Sequence, residues 1–185
     1  MRFLIIGDSQ ANGWPGRQTQ ELLERKGHVV ARRAYDGVGA VTWRSQRSEE
    51  YQDLLRRVRP DSVILIFGSN NLAGPALESA MKWFANSSSR VYYSGPPNYA
   101  NVDRRPIGDA IRRLGQQVFG SRYIDAYAAT SNPNLYQPDK IHMNAEGGLK
   151  WATAIAGKAP GAESIWPWVG LGLGSAAVAA IFIRR

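Results

Sequence analysis

Ser9, Asp139 and His142 are the residues of this chain whose types could together carry out nucleophilic chemistry. A serine hydroxyl attacks an ester only when a base takes its proton. An imidazole does this best when a carboxylate fixes its tautomer and stabilises the imidazolium that forms. The chain has 2 histidines. His28 lies between Lys26-Gly27 and Val29-Val30, where an exposed side chain at the start of a strand is expected, which leaves His142 as the base. Asp139, in the run Asp139-Lys140-Ile141-His142, is its carboxylate. The oxyanion formed on the substrate needs donors already aimed at it. The backbone N–H groups of Ser9 and Gly39 and the side-chain amide of Asn70 could provide them.

These residues are far apart in sequence, so the fold must bring them together. Strand patterns are expected near 2–6, 28–33, 62–67, 90–94 and 122–124, and helical patterns near 16–26, 44–58, 75–86, 104–119 and 145–158. Five strands alternating with five helices predict a parallel sheet covered on both faces. Right-handed crossovers then gather the carboxyl ends of the strands on one edge. Ser9 follows the apolar run Phe3-Leu4-Ile5-Ile6, and Asn70 follows Val63-Ile64-Leu65-Ile66-Phe67, so both fall on that edge with Gly39. The loop Ser94-Gly95-Pro96-Pro97-Asn98-Tyr99 opens there too, and its prolines and Tyr99 are expected to wall the substrate cleft.

Four short blocks, taken in order, resemble the SGNH hydrolases, or GDSL-like esterases, across roughly residues 1–157. They are Gly7-Asp8-Ser9, the segment Tyr35-Asp36-Gly37-Val38-Gly39-Ala40, Gly68-Ser69-Asn70-Asn71, and Pro138-Asp139-Lys140-Ile141-His142-Met143-Asn144-Ala145-Glu146-Gly147. The resemblance implies a Ser9, His142, Asp139 triad with Ser9, Gly39 and Asn70 as oxyanion donors, Gly37 being the alternative to Gly39. It also implies an α/β protein, a three-layer α/β/α sandwich on a five-stranded parallel sheet of flavodoxin-like type. At position 71 the chain has Asn where the family usually has Asp.

Each residue also has a purely structural role open to it. Ser9 could cap the following helix, Asn70 could close an Asx-turn, and Gly37, Gly39 and Gly68 could be turn glycines. Asp8 is expected to hold its turn rather than to do chemistry. The company of the other blocks favours function for Ser9 and His142.

Composition bounds the alternatives. A chain of 185 residues, 44% hydrophobic and 21% charged, suits one folded domain. It has no cysteine and no His-Glu-x-x-His pattern, so no metal site or other cofactor is expected. The net charge of +8 comes from arginines and lysines scattered through helical patterns, which read as solvated faces. No nucleic-acid motif accompanies them, and specific nucleic-acid binding is not expected. Arg32-Arg33 and Arg56-Arg57 could help the domain lie on an anionic surface.

The end of the chain has a different character. From Ile165 to Ile183 no residue is charged, and Arg184-Arg185 follow. A helix of this length would reach roughly 28 Å, close to the hydrocarbon thickness of a bilayer. Trp166 and Trp168 would sit in the interfacial belt. The expected organisation is a hydrolase domain at 1–158, a linker at 159–164 and a transmembrane helix at 165–183. A Gly170 and Gly174 pair could let two such helices pack as a homodimer. The short apolar run after Met1 does not suit a signal peptide, so a tail anchor is expected. Positive-inside reasoning places the terminal arginines in the cytoplasm, which conflicts with a catalytic domain left there. The side of the membrane therefore stays open, and the internal membrane of a virus is one setting that would resolve the conflict.

The expected function is a membrane-anchored serine esterase working through an acyl-enzyme on an acetylated envelope glycan or a lipid. The alternatives are a lysophospholipase or thioesterase, and a membrane-associated structural protein that keeps the fold without turnover.

Overall fold

The computed structural model describes residues 1–68, 70–87 and 90–160. The expected transmembrane helix at 165–183, with Gly170 and Gly174, lies outside the described residues, as does most of the linker. Among the described residues no helix is long and apolar enough to cross a membrane.

Five parallel strands form the centre: β1 (Arg2–Gly7), β2 (Val29–Ala34), β3 (Ser62–Ile66), β4 (Val91–Ser94) and β5 (Tyr123–Ile124). Their spatial order is β2-β1-β3-β4-β5. This is the flavodoxin-like order, in which the chain first winds to one side of β1 and then to the other. The central strands read as continuous apolar runs because both faces are covered. Phe3, Ile5, Ile64 and Ile66 point to one face, Leu4, Ile6, Val63 and Leu65 to the other, and all are buried. The edge strand β2 is partly solvated, which suits its Arg32 and Arg33.

The two faces carry different helices. On the Leu4 face lie α3 (Ala40–Gln46), α4 (Ser48–Val58), α5 (Pro75–Ser87) and α6 (Arg105–Phe119), contributing Trp43, Tyr51, Met81, Phe84 and Ile111. On the Phe3 face lie α1 (Ser9–Asn12), α2 (Trp14–Arg25) and α7 (Ala145–Lys158), contributing Ala11, Leu23, Trp151 and Ile155. The result is the three-layer sandwich expected from the alternation of elements.

Two local departures matter. The single helix expected over 44–58 is two helices, broken at Arg47, whose φ of −129° and ψ of 18° leave the helical region. The break lets α3 start earlier, at Ala40, so that Gly39 becomes its N-cap residue. The short helix α1, which carries the serine, was not expected, because four residues leave no periodicity to read.

Candidate active site

Ser9 is placed by close packing where β1 meets α1. A Cβ on Gly7 would lie 2.0 Å from the Ile66 carbonyl oxygen and 2.5 Å from the Ala11 Cβ, so only glycine lets β1, β3 and α1 converge. Trp43 Nε1 donates to the Gly7 carbonyl at 3.2 Å and ties α3 to the same point. Asp8, not Ser9, caps α1: its Oδ1 accepts the Gln10 N–H at 2.9 Å. The capping role open to Ser9 is thus taken by its neighbour. Its hydroxyl bonds to His142 instead.

The histidine arrives on a tightly clamped loop. Asp139 Oδ1 accepts the backbone N–H groups of Ile141 and His142, both at 2.9 Å, while Oδ2 meets His142 Nδ1 at 2.6 Å. Gln137 N–H donates to the His142 carbonyl at 2.8 Å. His142 Nε2 then stands 2.9 Å from Ser9 Oγ. One chain of hydrogen bonds therefore joins carboxylate, imidazole and hydroxyl. Asp139 and His142 are half-exposed, at 44% and 37%. Partial burial raises the Asp139 carboxyl, but the His142 ring and the two backbone donors outweigh it and hold it below its ordinary value. Asp139 is then ionised at neutral pH, and with an Nδ1–H facing it the ring would present Nε2 as the acceptor toward Ser9.

Asn70 stands at the carboxyl end of β3, exposed at the mouth of the site. Its Nδ2 donates to Asp8 Oδ2 at 2.8 Å, and the Gly68 N–H donates to the same oxygen at 2.7 Å. An amide nitrogen has two hydrogens, so one remains to meet an oxyanion. Asp8 is fully buried beneath this pair. Burial pushes its carboxyl up to about 6 against the hydrogen bonds from Gln10, Gly68 and Asn70 and the nearby His142.

Gly39 is buried and its backbone lies against Asn71: a Cβ there would sit 2.2 Å from Asn71 Oδ1. Gly37 is a turn residue with φ of 73° and nothing close to it. Of the two glycines, Gly39 is the one packed against the Asn70-Asn71 segment. Asn71 Oδ1 accepts the Val41 N–H at 3.3 Å, so this residue braces the start of α3.

Two residues outside the four blocks complete the site. Gln10, 2% exposed, sends its Nε2 to the Ile141 carbonyl at 3.0 Å and straps the serine turn to the histidine loop. Tyr99 is fully buried and lines a cavity of about 180 Å³ with Asn70, Gly68, Arg104 and Ile141. Tyr99 thus walls the cleft as expected, whereas Pro96 and Pro97 do not line this cavity. His28, expected to be exposed, is half-buried against the Phe3 ring at 5.2 Å, away from the site.

No group of three or more His, Cys, Asp or Glu side chains that could hold a metal ion occurs among the described residues.

No protein-family model matches the chain, and no curated protein matches it. Solved structures do. Over 85% of its length the chain superposes on an α/β hydrolase enzyme from the metagenome of Lake Arreo, Spain, with a TM-score of 0.65, 16% identity and 94% of that chain covered. It also superposes on a protein from Parabacteroides merdae described as a GDSL-like lipase, with a TM-score of 0.61, 13% identity and 94% of that chain covered. A third match, from Slackia heliotrinireducens and described as an SGNH hydrolase, has a TM-score of 0.54, 16% identity and 98% coverage. The fold is therefore that of the SGNH and GDSL-like hydrolases. At these identities the likeness is one of architecture.

Proposed function

We propose that the protein is a serine ester hydrolase. The observation that carries this reading is the unbroken chain from Asp139 through His142 to Ser9, at 2.6 Å and 2.9 Å. Ser9 Oγ attacks the carbonyl carbon as its proton passes to His142 Nε2, and the carbonyl π electrons move onto oxygen. Collapse of this intermediate breaks the bond to the alcohol oxygen, which takes the proton back from His142. Water, deprotonated by the same nitrogen, then attacks the acyl-enzyme and releases the acid with Ser9 restored. The oxyanion is met by the free Asn70 hydrogen and by the Ser9 and Gly39 N–H groups. Asn71 supports this site from the Gly39 side, through Val41, and does not touch the triad. Its departure from the family pattern therefore does not favour a protein without turnover.

The cavity of about 180 Å³ beside Asn70 has room for a short acyl group, which supports acetyl over a long chain. The uncharged segment 165–183 supports a membrane anchor that keeps this domain near a lipid surface. That segment also keeps a lysophospholipase or thioesterase reading open.

Labelling with a fluorophosphonate tests the reading. The native protein should react and Ser9→Ala should not; an inert native protein would sink the esterase assignment. Carbonate washing tests the anchor: the full chain should stay with membranes, and a chain ending at residue 159 should be released with its activity. Full-length protein in the supernatant without detergent would refute it.

A further inference from the structure

Ser9 and His142 divide two depressions of unlike chemistry. The one toward Asn70 is the small cavity already described. The other, of about 310 Å³, opens over the start of α2 on the Gln137 side of His142 and contains neither Asn70 nor Gly39. In ester cleavage the leaving oxygen must be reached by the protonated imidazole while the carbonyl oxygen faces the oxyanion donors. The alcohol part thus belongs on the side of His142 that faces away from Asn70, and that is the larger cavity.

Its lining is unusual in one respect. Trp14 is 43% exposed there, one of the largest apolar surfaces left in water on this domain. Its root is fixed, because α7 approaches α2 so closely at Gly148 that a Cβ there would lie 2.5 Å from the Trp14 Cβ. Around the indole stands a polar set that is already organised. Asn12 Nδ2 donates to Asp36 Oδ1 at 3.0 Å, and Arg17 Nε donates to the Asn12 carbonyl at 3.0 Å. Arg17 keeps its terminal N–H groups, and Asp36 its second oxygen, for a ligand.

We propose that this cavity is a saccharide subsite for the alcohol part of the ester, an inference that rests on the esterase reading above. A pyranose has C–H faces and a rim of hydroxyls that both donate and accept. An anchored indole matches the face; a carboxylate, a guanidinium and amides match the rim. A fatty alcohol fits badly, since it would dehydrate Asp36, Arg17 and Asn12 without replacing their hydrogen bonds to water. Trp14 is thereby the specificity residue of the site.

The test has a binding arm that needs no turnover. Full-length Ser9→Ala should bind cellotetraose or chitotetraose, seen by saturation-transfer NMR and titration calorimetry. Adding Trp14→Ala should weaken that binding about tenfold; adding Val29→Ser, at the far end of the sheet, should not. In the kinetic arm, the ratio of kcat/KM for acetylated cellotetraose to that for octyl acetate should fall about tenfold in Trp14→Ala, through KM, with Trp14→Phe retaining most of it. Saccharide binding that ignores Trp14, no binding by either tetrasaccharide, or an unchanged ratio would each overturn the subsite. Fluorophosphonate reactivity separates the two claims. A reactive serine without saccharide binding leaves the esterase and removes the subsite, whereas Trp14-dependent binding without a reactive serine leaves a saccharide-binding cleft and removes the ester chemistry.

Discussion

Asp139 and Asp8 each stand one hydrogen bond from a group proposed to act on the ester, yet their surroundings drive them in opposite directions. Asp139 is half-exposed on a loop, bonded to two backbone N–H groups and to His142, and its carboxyl is held below the ordinary value although partial burial alone would raise it. Asp8 is fully buried under Asn70 and Gly68, and burial outweighs its three donors and pushes it to about 6. On the proposed mechanism, the difference lets one residue type serve two tasks in one site. A carboxylate that must stabilise a transient imidazolium needs to stay ionised through the working range. One that positions a neutral amide tolerates the cost of burial because its hydrogen bonds hold three elements together.

The largest effects should come from the Asp139 side. Ser9→Ala and His142→Ala should each lower ester turnover by about 10³-fold or more with the fold intact by circular dichroism. Asp139→Asn should cost less than His142→Ala, since the imidazole stays and loses its orientation and charge support. Near-native turnover in Ser9→Ala or His142→Ala would remove the triad.

On the Asp8 side the expected loss is smaller and of a different kind. Asn70→Ala should cost roughly 10² to 10³ in kcat with little change in KM, as expected for a donor used mainly in the transition state. If Asp8 acts through Asn70, adding Asp8→Asn to Asn70→Ala should lower the rate little further, although Asp8→Asn alone lowers it clearly. Full additivity in this double-mutant cycle would show that Asp8 has a separate role.

Titration sharpens the same contrast. Because the Asp8 carboxyl is raised in the folded protein, the native state holds a proton between the ordinary value of 3.8 and about 6 that the unfolded chain has released. Stability from this group therefore falls as pH rises through that window, by on the order of 3 kcal/mol. Denaturant unfolding of the native protein and Asp8→Asn at pH 4 and pH 7 should show the native protein losing ground to the variant at the higher pH. Asp139 works the other way: its depressed carboxyl contributes stability above the ordinary value, and this is lost as pH falls through the lowered one. A native-minus-variant difference that is flat with pH would mean that Asp8 does not carry the raised value.

These two aspartates also mark where the sequence could be read and where it could not. The strands were legible because the runs Phe3 to Ile6 and Val63 to Phe67 are buried on both faces and leave little alternative to a central parallel strand. Ser9, His142 and Asp139 were legible from their residue types and from the resemblance of their blocks to the SGNH hydrolases, and the structure joins them by hydrogen bonds. Asp8 was legible as a turn residue but not as a support for Asn70, because that contact spans two strands. Gln10 was not legible at all, since its partner is a backbone carbonyl in a distant loop, which no pattern of side chains announces. The break at Arg47 was hidden because the residues on both sides favour helix, while the contacts that hold α3, to Gly7 and Asn71, lie far away in sequence.

The smallest expected effect concerns Asn71, where the chain departs from the pattern of the proteins it resembles. Its Oδ1 accepts the Val41 N–H in the first turn of α3, and its side chain lies over Gly39. An aspartate has the same shape, keeps that acceptor and adds a negative charge beside the unpaired N–H groups at a helix start, where anions are favoured. Asn71→Asp should therefore raise stability by about 0.3 to 1 kcal/mol at neutral pH, read from denaturant midpoints, and leave ester turnover within about twofold. The gain should fade as the new carboxylate is protonated in acid. The contrast with Asp8 is then complete: a carboxylate placed at an open helix start stabilises when ionised, whereas the buried one stabilises when it holds its proton. A clear loss of stability in Asn71→Asp would mean that the amide nitrogen of Asn71 makes a contact the carboxylate cannot replace, and that the departure at this position is required by the fold.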